Sequence, residues 1–195
     1  MSQLESPCRF LIRHPNRLRY HRVMRHPHTI FVTSLFDMPH FVRELAPARL
    51  VSIIQPELQP ARPSEISASN HLRVGVHDIS EHRPHSILAR RRDVEELIGF
   101  IESWNPEDGA LLTHCYAGVS RSTATALIAA FVKTSDAEAS AGALRTAAPH
   151  ALPNRHLIAL ADEVLGCNGA LIAARETMGG ASVSVADGPL TILRL

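Results

Sequence analysis

The sequence predicts an α/β domain, a mainly parallel sheet of about four to five strands flanked by helices. Three observations predict it. Short apolar runs alternate along the chain with longer stretches of helical period. Pro and Gly punctuate many of the boundaries between them. The 195 residues are 45% apolar, enough to bury one sizeable core in a single domain. No internal repeat is visible.

The elements follow in order. Residues 29–35 read as the first strand, and 38–45 as a short helix ended by Ala46-Pro47. A second strand at 49–54 stops at Pro56, and the polar, Pro-containing stretch 57–70 is a surface loop. The third strand is 71–76. From 87 to 104 the apolar positions Ile87, Leu88, Val94, Leu97, Ile98, Ile101 and Trp104 mark a helix, stopped by Asn105-Pro106. Asp108-Gly109 turns the chain into a central strand at 110–113. Three helical stretches follow at 122–133, 136–147 and 154–165, the second with Ser135 as N-cap and the third opening at Pro153-Asn154. Residues 181–195 alternate around Asp187-Gly188, the pattern of a terminal hairpin.

Composition narrows the function classes. The net charge of +1 gives no global bias toward nucleic acid. Cys8, Cys115 and Cys167 lack metal spacing, and an odd count argues against a disulfide framework. No pair among the twelve histidines forms a convincing ligand pair on a helix face, so no metal site is expected. The longest apolar run, 124–132, is too short to span a bilayer, and no signal-peptide core is expected at the N-terminus. The N-terminal extension, 1–28, is basic: Arg9, Arg13, Arg17, Arg19, Arg22 and Arg25 alternate with His14, His21, His26 and His28. It reads first as a solvated extension and second as an arm for an anionic partner, and Met24 is an alternative start.

Between the central strand and the Ala-rich helix lies His114-Cys115-Tyr116-Ala117-Gly118-Val119-Ser120-Arg121-Ser122-Thr123. A cysteine at a strand end, five residues, then an arginine at a helix start can hold a phosphate. The backbone N–H groups of Tyr116, Ala117, Gly118, Val119 and Ser120 can curl into an anion nest. The helix adds its dipole and unpaired N–H groups, and Arg121 a fork matched to two phosphate oxygens. Gly118 provides a position open to positive φ. The same field would hold Cys115 as a thiolate nucleophile, with Ser122 donating its hydroxyl to the sulfur. The bland alternative for Cys115 is a small buried hydrophobe. His114 reads as structural, its ring bonding loop carbonyls beneath the nest.

This HC-x5-R-[ST] pattern resembles the signature of the cysteine-dependent protein tyrosine phosphatases, most closely the dual-specificity and small bacterial branch. More loosely, the likeness runs from about 29 to 165, which makes 29–166 a phosphatase-like catalytic domain and 167–195 a C-terminal extension. It implies a metal-independent phosphomonoester hydrolase acting through a phosphocysteine, with no cofactor, in a reducing cytoplasm. Its substrate would be a phosphorylated protein or a small phosphomonoester. It also implies an upstream general acid, for which Asp78, just beyond the third strand, fits best. Asp93, Glu95 and Glu96 fall in a helix, and Asp108 at the wrong end of the central strand. Glu81 could assist, and His77 is a loop spacer. The alternative for Asp78 is a turn cap. Five uncharged variable positions weaken an inositol-phosphate reading, although Arg83, His85, Arg90, Arg91 and Arg92 could border the cleft or form an exposed face. Two rivals remain: a non-catalytic phosphate- or phosphoprotein-binding module, and a rhodanese-like sulfurtransferase.

Overall fold

The computed structural model describes residues 26–195. The basic residues 9–25, Cys8 and the alternative start at Met24 lie outside it. Strands β1 (Thr29–Thr33), β2 (Arg49–Ile54), β3 (His71–Gly75) and β4 (Leu111–His114) are joined by helices α1 (Met38–Leu45) and α2 (Arg91–Glu102). Helices α3 (Arg121–Thr134), α4 (Ala137–Ala147), α5 (Arg155–Leu165) and α6 (Ala170–Thr177) follow, and then strand β5 (Thr191–Arg194). The sheet order is β3-β2-β4-β1-β5, with the first four strands parallel and β5 antiparallel to β1.

Side-chain alternation distributes the strands between two cores. Ile30, Val32, Val51, Ile53 and Leu111 enter the larger one, under the helices that follow β4 and under α2. Phe31, Leu50 and Leu112 enter the smaller, where Met38 and Val42 of α1 and Ile66 of the long loop cover the opposite face. Helix α3 is buried throughout its first ten residues. Its Ala-rich composition lets α2, α4, α5 and the sheet all approach it. The β4–α3 junction is therefore held from every side.

The expected elements shift where local chemistry intervenes. The first strand stops at Thr33, because Leu35 N–H donates to Tyr116 O (3.0 Å). Helix 87–104 shortens to α2: Ile87 bonds His77 through backbone and ring, and Asp93 closes the first turn by accepting from Arg90 N–H at 2.8 Å. The N-cap of α4 is Asp136, which accepts from Ala139 N–H at 2.9 Å. Ser135 instead takes a left-handed conformation (φ 58°) that ends α3. Helix α6 was not expected. The hairpin at 181–195 does not form, since β5 finds a longer partner in β1 and completes the sheet edge.

Candidate active site

All parallel strands point their carboxyl ends at one edge, and the loop after β4 lies there. Its carbonyls are tied outward. Tyr116 O accepts from Leu35 N–H, Ala117 O from Gly188 N–H (2.7 Å), Val119 O from Leu152 N–H (2.9 Å) and Ser120 O from Asn154 N–H (3.3 Å). The N–H groups of residues 116–120 have no partner among the described residues. Such a set of free N–H groups can hold an anion. Gly118 has φ +73°, and a Cβ there would come within 2.9 Å of the Thr33 carbonyl carbon, so its bareness lets the loop press against β1.

Cys115 is buried, and Ser122 Oγ lies 3.1 Å from its Sγ. Arg121 is 3% exposed. One edge of its guanidinium is anchored, Nη1 donating to Val76 O (2.8 Å) and Gln55 Oε1 (2.9 Å). Its Nε is buried without a hydrogen-bond partner among the described residues, 3.8 Å from Asp78 Oδ2. Asp78 Oδ1 accepts from Ser120 Oγ at 2.7 Å and Asn154 Nδ2 at 2.9 Å. A cavity of about 360 Å³ opens over these groups, lined by Gln55, Asp78, Cys115, Tyr116, Ser120 and Arg121 among others. Tyr116, which lines the cavity, packs edge to face against Phe36, centroids 5.5 Å apart, and both rings are well exposed.

Beneath the loop a polar row crosses the sheet. His114 Nδ1 lies 3.3 Å from Cys115 O, its Nε2 lies 2.7 Å from Ser52 Oγ, and Ser52 Oγ lies 2.8 Å from His71 Nε2. The ring therefore reaches one loop carbonyl and a serine on β2, rather than several loop carbonyls. Burial pushes both His71 and His114 down to about 4, so both rings are neutral near neutrality. If His114 donates to the carbonyl, Ser52 must donate to His114, and His71 to Ser52.

Asp78, Ser120, Arg121, Ser122 and Cys115 come together at the carboxyl edge of the sheet. Glu81 and the arginines at 83 and 90–92 do not line the cavity. Arg90, Arg91 and Arg92 pair instead with Asp93, Glu95 and Glu163 on the surface. Sequence reasoning missed Gln55, Ser52 and the second role of Asn154. Asn154 caps α5 with Oδ1, bonded to His156 and Leu157 N–H, and holds Asp78 with Nδ2. An amide at an N-cap has a spare donor, which was the only available signal.

This mainly parallel sheet flanked by helices is a fold the chain shares with solved phosphatases, a putative dual specificity phosphatase among them. In particular, the chain is similar to the Cydia pomonella PTP-2 phosphatase, at 22% identity over 85% of this chain and 94% of that one, with a TM-score of 0.55. DUSP15 matches at 20% identity over 79% and 92% (TM-score 0.54). PTPMT1, solved with PI(5)P, matches at 12% identity over 72% and 95% (TM-score 0.52). No protein-family model matches the chain. No curated protein matches it either. Among the described residues, no helix is long and apolar enough to cross a membrane.

Proposed function

We propose that this protein is a metal-independent phosphomonoester hydrolase of the protein tyrosine or dual-specificity type, working through a phosphocysteine. One observation carries the reading: Cys115 and Arg121 line a single cavity together with Tyr116, Ala117, Val119 and Ser120, whose N–H groups have no partner among the described residues. Cys115 thiolate attacks phosphorus in line, forming the S–P bond as the P–O bond to the leaving group breaks. Asp78 gives its proton to the leaving oxygen. It then takes a proton from the water that cleaves the S–P bond, while Ser122 donates to the departing sulfur. The loop amides and Arg121 supply the stabilisation of the equatorial oxygens, which is why no metal is invoked. A reducing compartment such as the cytoplasm suits the nucleophile. The uncharged loop positions and the Tyr116–Phe36 wall favour a phosphorylated protein over an inositol phosphate.

The test is hydrolysis of an aryl phosphate without added metal. Wild type should turn over, and Cys115→Ser should lose turnover while still binding phosphate. Phosphate binding without turnover in wild type would favour a capture module, and thiosulfate-to-cyanide transfer a sulfurtransferase.

A further inference from the structure

The segment that carries Asp78 leaves the sheet after β3 and returns before α2, and little holds it between. Residues 80–85 are exposed. Inside it one backbone bond runs from Ser86 N–H to Arg83 O (3.2 Å). From outside, Ser120 and Asn154 hold the Asp78 carboxylate, and Asn154 Nδ2 also donates to Ile79 O at 3.3 Å. Ordering an exposed excursion of the chain costs conformational entropy, so the groups at its neck decide how steadily it presents Asp78.

The neck is a double clasp. His77 N–H donates to Ile87 O at 2.9 Å, and Ile87 N–H donates back to the His77 ring at Nδ1, 3.0 Å away. Both sides of the clasp are themselves anchored. Val76 N–H donates to Ile54 O on β2 (3.2 Å), and His156 Nε2 of α5 lies 2.8 Å from Ala89 O. Any residue at 77 could supply the backbone arm, but the second arm needs a side-chain acceptor that reaches back to Ile87. An imidazole nitrogen that accepts carries no proton, so this arm selects the tautomer protonated at Nε2. Glu57 Oε2, in the single turn Pro56–Leu58, lies 3.8 Å from that nitrogen and suits a proton there. The ring also lines the cavity beside Asp78.

We propose that His77 is a positioning residue for the proposed reaction, its Nδ1 closing the neck of the 78–86 loop so that the Asp78 carboxyl stays at the cavity where the leaving oxygen departs. The proposal rests on the phosphatase reading, with Asp78 as its acid. His77 and Asp78 share a peptide unit, so a shift of the backbone at 77 displaces the carboxyl directly. Proton transfer demands hydrogen-bond reach, and a misplacement of about 1 Å can cost on the order of 10²-fold in rate.

Amide variants test it, because Asn Oδ1 puts an acceptor where Nδ1 stands, whereas Gln Oε1 reaches toward the place of Nε2. Turnover is measured on phenyl phosphate, whose leaving group needs a proton, and on p-nitrophenyl phosphate, whose leaving group needs one far less. His77→Ala and His77→Gln should lower kcat on phenyl phosphate about 10-fold, as losing one ordering hydrogen bond would. KM should hold, and the loss on p-nitrophenyl phosphate should be much smaller. His77→Asn should restore most of the difference. Combined with Asp78→Asn, His77→Ala should cost nothing further, because the ring acts through that carboxyl. Equal losses on the two substrates, no loss in His77→Ala, an Asn variant no better than Gln, or an additive double variant each overturn the positioning role. Wild type that cannot hydrolyse p-nitrophenyl phosphate would sink the phosphatase reading instead. Hydrogen exchange of the Ile87 amide then reads the clasp alone. Slower exchange in wild type and His77→Asn than in His77→Ala supports it, and equal rates overturn it.

Discussion

Asp78 is held by Ser120 and Asn154 through one oxygen, leaving the other directed toward Arg121 Nε. If it is the general acid, its loss should matter in proportion to how badly the leaving group needs a proton. Asp78→Asn is expected to lower turnover about 10²–10⁴-fold on alkyl phosphates and much less on p-nitrophenyl phosphate. An equal loss on both substrates would contradict the acid role. The Ser52 hydroxyl supports a different expectation. Ser52→Ala leaves two buried imidazole nitrogens unpaired and should destabilise the fold by about 1–3 kcal/mol, measured by denaturant unfolding. Both histidines also link stability to pH. With folded values near 4 against 6.5 unfolded, the unfolded chain binds more protons between those limits. Stability should therefore fall as pH drops from 6.5 toward 4 and level off below. His114→Gln should reduce that slope.

At the scale of elements, the loop between β4 and α3 depends on how closely β1 and the C-terminal turn approach it. Gly118→Ala combines a positive φ with a Cβ 2.9 Å from the Thr33 carbonyl carbon. Gly166 has nearly the same φ (+65°) but open space around it. Backbone strain is thus common to both variants, about 1–3 kcal/mol, whereas crowding belongs to Gly118→Ala alone. The expected outcome is a modest Tm decrease for Gly166→Ala with turnover kept, against a larger decrease and lost turnover for Gly118→Ala. Equal behaviour would show that the contact with β1 does not shape the loop. Gly188 tells a related story, since a Cβ there would meet His150 Nε2 at 2.8 Å and Gly118 O at 3.0 Å.

Across the whole molecule, β5 ties the C-terminal segment into the sheet. It shields the β1 edge, buries Leu193, and follows the turn whose Gly188 N–H holds Ala117 O. Removing 189–195 should expose an unpaired strand edge, which templates association, and should loosen the loop. The expected result is higher-order species in size-exclusion chromatography together with reduced aryl phosphate turnover. A truncated protein that stays monomeric and fully active would show that β5 is dispensable.

The α/β class, the bounds of α1 and β2, and the strand–loop–helix unit around Cys115 are written in local signals: period, Pro stops, and a motif of fixed spacing. Cys115, Arg121 and Ser122 are near neighbours along the chain, so their meeting needed little tertiary information. Asp78 stands out in the sequence by its place after a strand and by the upstream spacing that the family resemblance implies. What the tertiary structure decided is everything that depends on partners far apart in sequence. Asn154 reaching Asp78, Gln55 anchoring Arg121 and Ser52 joining two histidines are pairings between side chains with ordinary local roles. The alternation at 181–195 fits a hairpin as well as an edge strand, and β1 settled it by offering four paired residues. Arg155 and Arg175 lie on different helices, and only the packing of α5 and α6 sets them around one cavity. A linear pattern specifies which face a residue takes, and only the packed chain specifies what that face meets.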